Sequence, residues 1–329
     1  GSIAMAIWCL KRKSPRIRFY PGRYFGNPCK KQCPKISSKN KFYIRLPKKI
    51  GLFKEKERRL LFDAVKKMYW KAKNSSKIYI DFSETLKIYP EGMIYLYAEI
   101  LNIQTIYNVS IKCKKSHNAK TNHILFQIGI FDICNYPFHS QKEYKNIVYW
   151  KKTSGSCVDG SKFDDIIDSD DRIFKHPLGI NIYGGFIEAI KNACIHAYIE
   201  ERELSPVNNA ETAWWVFSQL KENYVYIAVC DLGIGIPKTV FLRLSIPNDA
   251  DIIKAAIEKP SSRTKKYYRG NGLKTIADIA KQDIRASFSI YSCKGHVYSL
   301  EGMLRTINFK TSLPGTIVAW KLPLTDTPK

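Results

Sequence analysis

Four short segments hold side chains whose types and spacing could do chemistry. In GFIEAIKNACIHAY (185–198), Glu188, Asn192 and His196 recur every four residues, which places them on one face of a helix. Three polar groups in register on an otherwise apolar helix line a site, or they cap and satisfy one another. In VYIAVCDLGIGIP (225–237) an apolar, strand-like run ends at Asp231 and continues into Gly233, Gly235 and Pro237. Glycines at that spacing let backbone approach a ligand closely, or simply make a tight turn. In RGNGLKTIADIAKQ (269–282), Gly270 and Gly272 precede a helix beginning at Leu273. A glycine turn opening a helix presents free N–H groups to phosphate, and Arg263, Lys265, Lys266 and Arg269 add counter-charge just upstream. In PGTIVAWKLP (314–323), Gly315 and Thr316 open a final strand.

Taken in this order, the four segments resemble the GHKL family of nucleotide-binding domains, which includes gyrase, heat-shock chaperones, histidine kinases and MutL-type repair proteins. The likeness covers about residues 178–323, and Glu188 to Tyr198 is most similar to the anti-sigma-factor kinases. The resemblance implies a Bergerat α/β sandwich with a mixed sheet, ATP as ligand and Mg²⁺ as its metal. It implies that Asn192 holds Mg²⁺ through its side-chain oxygen and that Glu188 is the general base. Asp231 would accept the adenine amino proton, with Gly233 and Gly235 turning beneath the base and Thr316 supporting it. Arg269, Gly270, Gly272, Leu273 and Lys274 would form the phosphate side, and Lys238 to Arg269 an ATP lid. His196 is expected to pack in the helix region.

These motifs need a scaffold to position them, and the rest of the chain supplies strand and helix signals in alternation. Phe42–Leu46, Ile78–Phe82 and Val109–Cys113 read as strands. Lys54–Lys71, with Leu60, Leu61, Val65 and Met68 on one face, reads as a helix, as do Glu91–Ile103 and Thr121–Ile130. The pattern implies an α/β layer. Residues 77–134, from KIYIDFSETLKIYPEGMIYLYAEIL through VSIKCKKS to HILFQIGIFDIC, resemble a STAS domain. Glu91 stands where that family's anti-anti-sigma members carry a phosphate-accepting Ser, so the resemblance implies no phosphoacceptor there. A carboxylate is also favourable in its own right at a helix N-terminus. The fold class expected is therefore α/β in two domains. A basic arm (1–40) precedes a STAS-like domain (41–135), a linker (136–176) rich in turn signals and a GHKL domain (177–329).

Charge is unevenly placed. Residues 1–60 hold 18 Lys/Arg against 2 Asp/Glu, out of a formal net charge of +25 for the whole chain. Such a run suits a polyanion, nucleic acid included, or is a solvated tail. Nine cysteines, an odd number with little pattern, suit reduced thiols in a cytoplasm, and Cys9, Cys29 and Cys33 lack the partners of a zinc site. No run is long and apolar enough for a membrane span.

The function expected is a Mg²⁺-dependent, ATP-hydrolysing switch acting on a protein partner, in bacterial-type signalling or defence; a dimer is compatible with it. Two alternatives stand beside it. One is a serine/threonine protein kinase of anti-sigma-factor type. The other is a nucleic-acid clamp, supported by the basic arm and opposed by the absence of a transducer domain after the nucleotide domain.

Overall fold

Ile- and Tyr-rich runs bounded by polar turns become strands, and longer runs of 3.6-residue period become helices, in an α/β order. The computed structural model describes residues 42–139, 150–167, 179–221, 223–240, 246–258, 272–281 and 283–324. The basic arm, residues 168–178 of the linker region and the segment carrying Arg269 and Gly270 lie outside these residues. In chain order the elements are β1 (Tyr43–Arg45), β2 (Lys49–Ile50), α1 (Glu55–Ala72), β3 (Lys77–Asp81), β4 (Lys87–Ile88), α2 (Pro90–Tyr107), β5 (Ser110–Lys114), α3 (Ala119–Ile128) and α4 (Ile130–Ile133). There follow β6 (Trp150–Gly155), α5 (Lys162–Ile166), α6 (Gly179–Ile195), β7 (Trp214–Lys221), β8 (Tyr224–Asp231), α7 (Ile236–Thr239), α8 (Asp249–Glu258), α9 (Gly272–Asp278), a 3₁₀ turn (Ile279–Lys281), β9 (Ser287–Leu300) and β10 (Met303–Pro323).

Strands β1, β3 and β5 form a parallel sheet in the order β1-β3-β5. Helix α1 connects the first pair and α2 the second, and both pack on the face that carries Ile44, Ile78, Ile80 and Ile111. The second sheet has the order β6-β7-β8-β10-β9. Every pairing in it is antiparallel. The expected mixed sheet is therefore corrected: β7–β8 and β9–β10 are hairpins, and antiparallel pairing needs only a short turn. The linker reading changes as well. Within 136–176, β6 joins the edge of this sheet against β7, and α5 follows it.

The five-stranded sheet is buried on both faces, and its residues alternate between two cores. Trp214, Val216, Ile227, Val229, Val318 and Trp320 face α6, α8 and α9. Trp215, Phe217, Ala228, Cys230, Ile317 and Ala319 face the other way and share a core with α1, α2 and the parallel sheet. The layers thus run parallel sheet, helices, antiparallel sheet, helices. Residues 41–329 make one compact unit, and the sequence boundary near 135 does not divide this shared core. Among the described residues no helix is long and apolar enough to cross a membrane.

Helix α2 lies between the sheets and is buried from Gly92 through Ile100. Glu99 has no solvent access. It accepts from Arg202 Nη1 at 2.8 Å and Nη2 at 2.9 Å, and from the Tyr69 hydroxyl at 2.5 Å. Arg202 Nη2 also donates to Tyr69 Oη at 2.6 Å, and Asn102 donates to the same oxygen at 2.8 Å. A buried pair offsets its desolvation only when its remaining hydrogen-bonding sites are filled, and here four of the five Arg202 N–H groups have acceptors, Nε donating to the Ser205 carbonyl. Glu99→Ala, which strands Arg202 as an unpaired buried charge, should cost about 3–5 kcal/mol in urea unfolding. The double replacement Glu99→Leu with Arg202→Met should recover most of that loss; equal losses in the single and double variants would refute the assignment.

Candidate functional site

Helix α6 buries Ile182, Phe186, Ala189, Ile190 and Ala193 against the sheet, a stripe of helical period. That registers Glu188 and Asn192 on a half-exposed flank. Opposite them stands Gly272, the first residue of α9. A Cβ on Gly272 would lie 2.6 Å from Glu188 Oε2 and 3.8 Å from Asn192 Nδ2, so a side chain there would push the Glu188 carboxylate aside. The Glu188 carboxylate accepts from Lys191 Nζ at 3.2 Å, one turn along on the same helix. Both ends of that contact are partly exposed, so it contributes little to stability and leaves the carboxylate available. His196, expected to pack, is exposed one residue beyond α6, where its backbone N–H donates to the Asn192 carbonyl at 2.9 Å.

The second cluster lies at the end of β8. Asp231 is buried; it is paired in register with Thr316 of β10 on one side and Trp214 of β7 on the other. Its carboxylate accepts the Gly233 N–H at 2.9 Å and, from Thr316, both the N–H and the hydroxyl. Burial, the largest influence, pushes its pKa up to about 7, against the pull of these donors and of the Arg202 charge. None of its hydrogen-bond partners is a cation. The turn that follows is set by contacts behind it. A Cβ on Gly233 would drive into the Ala197 carbonyl, which already accepts the Ile234 N–H at 2.9 Å. Gly235 sits at φ +89°, a conformation glycine adopts without strain.

Two residues not singled out in the sequence complete this cluster. The Tyr198 hydroxyl donates to the Ala213 carbonyl at 2.5 Å and accepts the Leu232 N–H at 3.0 Å, tying the segment after α6 to β8. The Ser292 hydroxyl donates to the Gly315 carbonyl at 3.0 Å, accepts the Ile236 N–H at 2.8 Å and lies 3.0 Å from the Thr316 hydroxyl. Tyr198 closes the first motif without having been given a role and Ser292 sits in none; both act through contacts distant in sequence. The two clusters share one helix: Glu188 and Asn192 lie on α6, and the Asp231 turn rests on Ala197 just past its end.

The remaining expected residues are less engaged. Leu273 is half-buried in α9. Lys274 is exposed and paired with Asp278 at 2.6 Å. Of the expected lid, Asp249–Glu258 is helix α8, with Ala250, Ile253 and Ile257 in the core. Its start is fixed by the Ala250 N–H on Asn308 and by the Asp249 carboxylate on the Lys294 N–H. That stretch is packed scaffold, since moving it would expose its apolar face. Among the described residues no cluster of His, Cys, Asp and Glu is arranged to hold a metal ion.

A buried acceptor without a cation suits an amino group. One amide oxygen beside a carboxylate suits a cation that keeps most of its own waters. No protein-family model matches the chain, and no curated protein is significantly similar to it.

The folded Asp231 carboxyl keeps its proton up to about pH 7, against an ordinary value of 3.8. Between those values the folded state binds a proton that the unfolded state has lost, so this residue's contribution to stability falls as pH rises through the window. Asp231→Asn should flatten the pH dependence of the unfolding free energy between about pH 4 and pH 7. An unchanged slope in urea titrations would show that Asp231 does not carry it.

Proposed function

We propose that the chain is an ATP-binding and ATP-hydrolysing switch whose nucleotide state is relayed to the N-terminal half and from there to a protein partner. The observation that carries this reading is the buried Asp231 carboxyl, raised to about 7 and surrounded by neutral donors at the end of β8. Groups whose pKa is perturbed by burial cluster at functional sites. The reading is supported by the resemblance of the four motifs to the GHKL family. It is supported as well by the closeness of Glu188, Asn192 and Gly272 across α6 and α9.

In this reading Asp231 accepts the adenine amino group, and Gly233 and Gly235 keep side chains out of the plane of the base. A neutral carboxylic acid is a poorer acceptor than a carboxylate, so an amino donor binds best where Asp231 is ionised. Asn192 would hold Mg²⁺ through its amide oxygen, and the ion would supply charge neutralisation for the phosphates. Glu188 takes the proton from the attacking water as general base, and Lys191 holds the carboxylate in place between turnovers.

The relay has physical support from α1. The Glu55 carboxylate accepts the Lys310 and Thr311 N–H groups at 2.8 and 3.1 Å. Arg58 donates to the Thr311 and Cys293 carbonyls. These contacts clamp an irregular stretch of β10, between Asn308 and Thr316 where its register against β9 shifts, and Thr316 is the Asp231 partner. Glu91, at the first turn of α2, is pushed up in pKa by burial and faces the Tyr226 hydroxyl of β8. The N-terminal half thus touches the strands that hold the nucleotide cluster.

Glu188→Ala should lower ATP turnover about 10²-fold or more while nucleotide affinity is kept; parental turnover in the variant would remove Glu188 from the role. ATP should bind tighter than GTP by a hundredfold or more, because guanine turns an acceptor toward a buried acceptor. Equal affinity in calorimetry would overturn the adenine assignment. Labelled γ-phosphate appearing on a protein instead of in water would move the reading to a kinase.

A further inference from the structure

Arg58 lies on the buried face of α1 and has no solvent access. Its Nε donates to the Thr311 carbonyl at 2.8 Å, its Nη2 donates to the Cys293 carbonyl, and the guanidinium lies 4.4 Å over the Phe309 ring. Nη1 has no hydrogen-bond partner. No carboxylate among the described residues forms an ion pair with it either. The carboxylate whose charge it feels most is that of Glu55, whose oxygens are taken by the Lys310 and Thr311 N–H groups and the Thr311 hydroxyl. Burial, the largest influence, pulls the Arg58 pKa down to about 10. Arg58 lines a cavity of about 10 Å³, together with Tyr95 of α2, Tyr291 of β9 and residues 313–317 of β10. The Tyr95 hydroxyl leans toward Glu99, one turn along α2, without reaching hydrogen-bond geometry, and is a second buried donor in the wall. Asp231 borders the cavity as well, but its carboxylate is occupied by Gly233 and Thr316. Tyr95, Tyr291, Leu313 and Ile317 belong to the core shared with the parallel sheet, so the cavity lies across the antiparallel sheet from α6.

We propose that this cavity is a halide site, in which one chloride ion accepts from Arg58 Nη1 and the Tyr95 hydroxyl and neutralises the guanidinium. Size and charge together select this guest. A cavity of about 10 Å³ takes one guest the size of a water molecule or a halide ion, which excludes phosphate, sulfate and carboxylates. Water accepts the same two hydrogen bonds but leaves the cation uncompensated in a dry interior, where an unpaired charge is costly. The nearby Glu99 carboxylate does not repel the ion at full strength, because Arg202 already neutralises it. Bound there, chloride joins three elements at one point: α1 through Arg58, α2 through Tyr95, and the irregular stretch of β10 that leads to Thr316. The halide therefore stabilises the junction between the N-terminal half and the antiparallel sheet. The proposal is independent of the ATP reading, and it is tested on nucleotide-free protein.

Thermal melts of the full chain in sodium chloride, sodium bromide and sodium gluconate at equal ionic strength test it. The melting temperature should rise with the logarithm of chloride or bromide concentration, as for a ligand of the folded state, and not with gluconate, which is too large to enter. Crystals grown in bromide should show an anomalous peak in contact with Arg58 Nη1. Tyr95→Phe removes one donor at nearly constant volume and should weaken the halide affinity about tenfold. Arg58→Met should abolish the halide dependence; if that variant does not fold, the bromide crystals of the parent and Tyr95→Phe decide the matter. Three results would overturn the proposal: identical melts in chloride and gluconate; bromide peaks confined to other positions, which would leave water as the occupant; or halide dependence unchanged in Tyr95→Phe.

Discussion

From Gly92 through Ile100 helix α2 has nowhere to face water, and the rest of the architecture follows from that. One side packs under the parallel sheet, the other lies against β7, β8 and β10, and its buried stretch includes a carboxylate. An apolar helix could sit in such a slot in several registers. Glu99 removes that freedom, because its oxygens must meet Arg202 and Tyr69 or remain unpaired in a dry interior. The pair therefore fixes where α2 stops along its axis. Through Arg202 it also fixes the segment between α6 and β7.

That segment supports the cluster around Asp231. Ala197 and Tyr198 stand a few residues before Arg202 and hold the turn after Asp231 by hydrogen bonds to Ile234 and Leu232. From the opposite side, Glu55 and Arg58 grip β10 just before Thr316. Asp231 and its main donor are thus held by two sets of contacts, both rooted in the N-terminal half. Strain introduced at Asp231 has two routes outward, and both end on α1 or α2.

The motif-bearing residues could be placed on their helices and strands because their spacing is local. The Glu188–Asn192 spacing, the glycines after Asp231 and the strand ending there each follow from a few neighbours. Helices α1 and α2 were found to within a few residues for the same reason. Leu60 was assigned to the buried face of α1 but is exposed. It lies about 100° around the helix from Leu61, so an apolar neighbour was mistaken for part of the stripe. Strand β6 was missed because an edge strand with one partner, rich in Lys and Ser, lacks an apolar signature. The long β9–β10 hairpin was announced by little more than alternation around Glu301-Gly302, a turn with both residues at positive φ. The Arg202–Glu99 contact spans 103 positions, and the raised pKa of Asp231 depends on burial; no local pattern encodes either.

The shared core has a consequence for how the polypeptide can be divided. If the backbone were cut between 139 and 150, no elements from 42–139 would cross into the antiparallel sheet, yet each fragment would be left with one uncovered apolar surface. Alone, each would tend to self-associate through that surface. Made together, they would be natural candidates for fragment complementation, with Glu99 on one piece and Arg202 on the other selecting the correct docking. The chain behaves as two sequences and one interior, and reassembly of the cut pieces would report on the integrity of that interior.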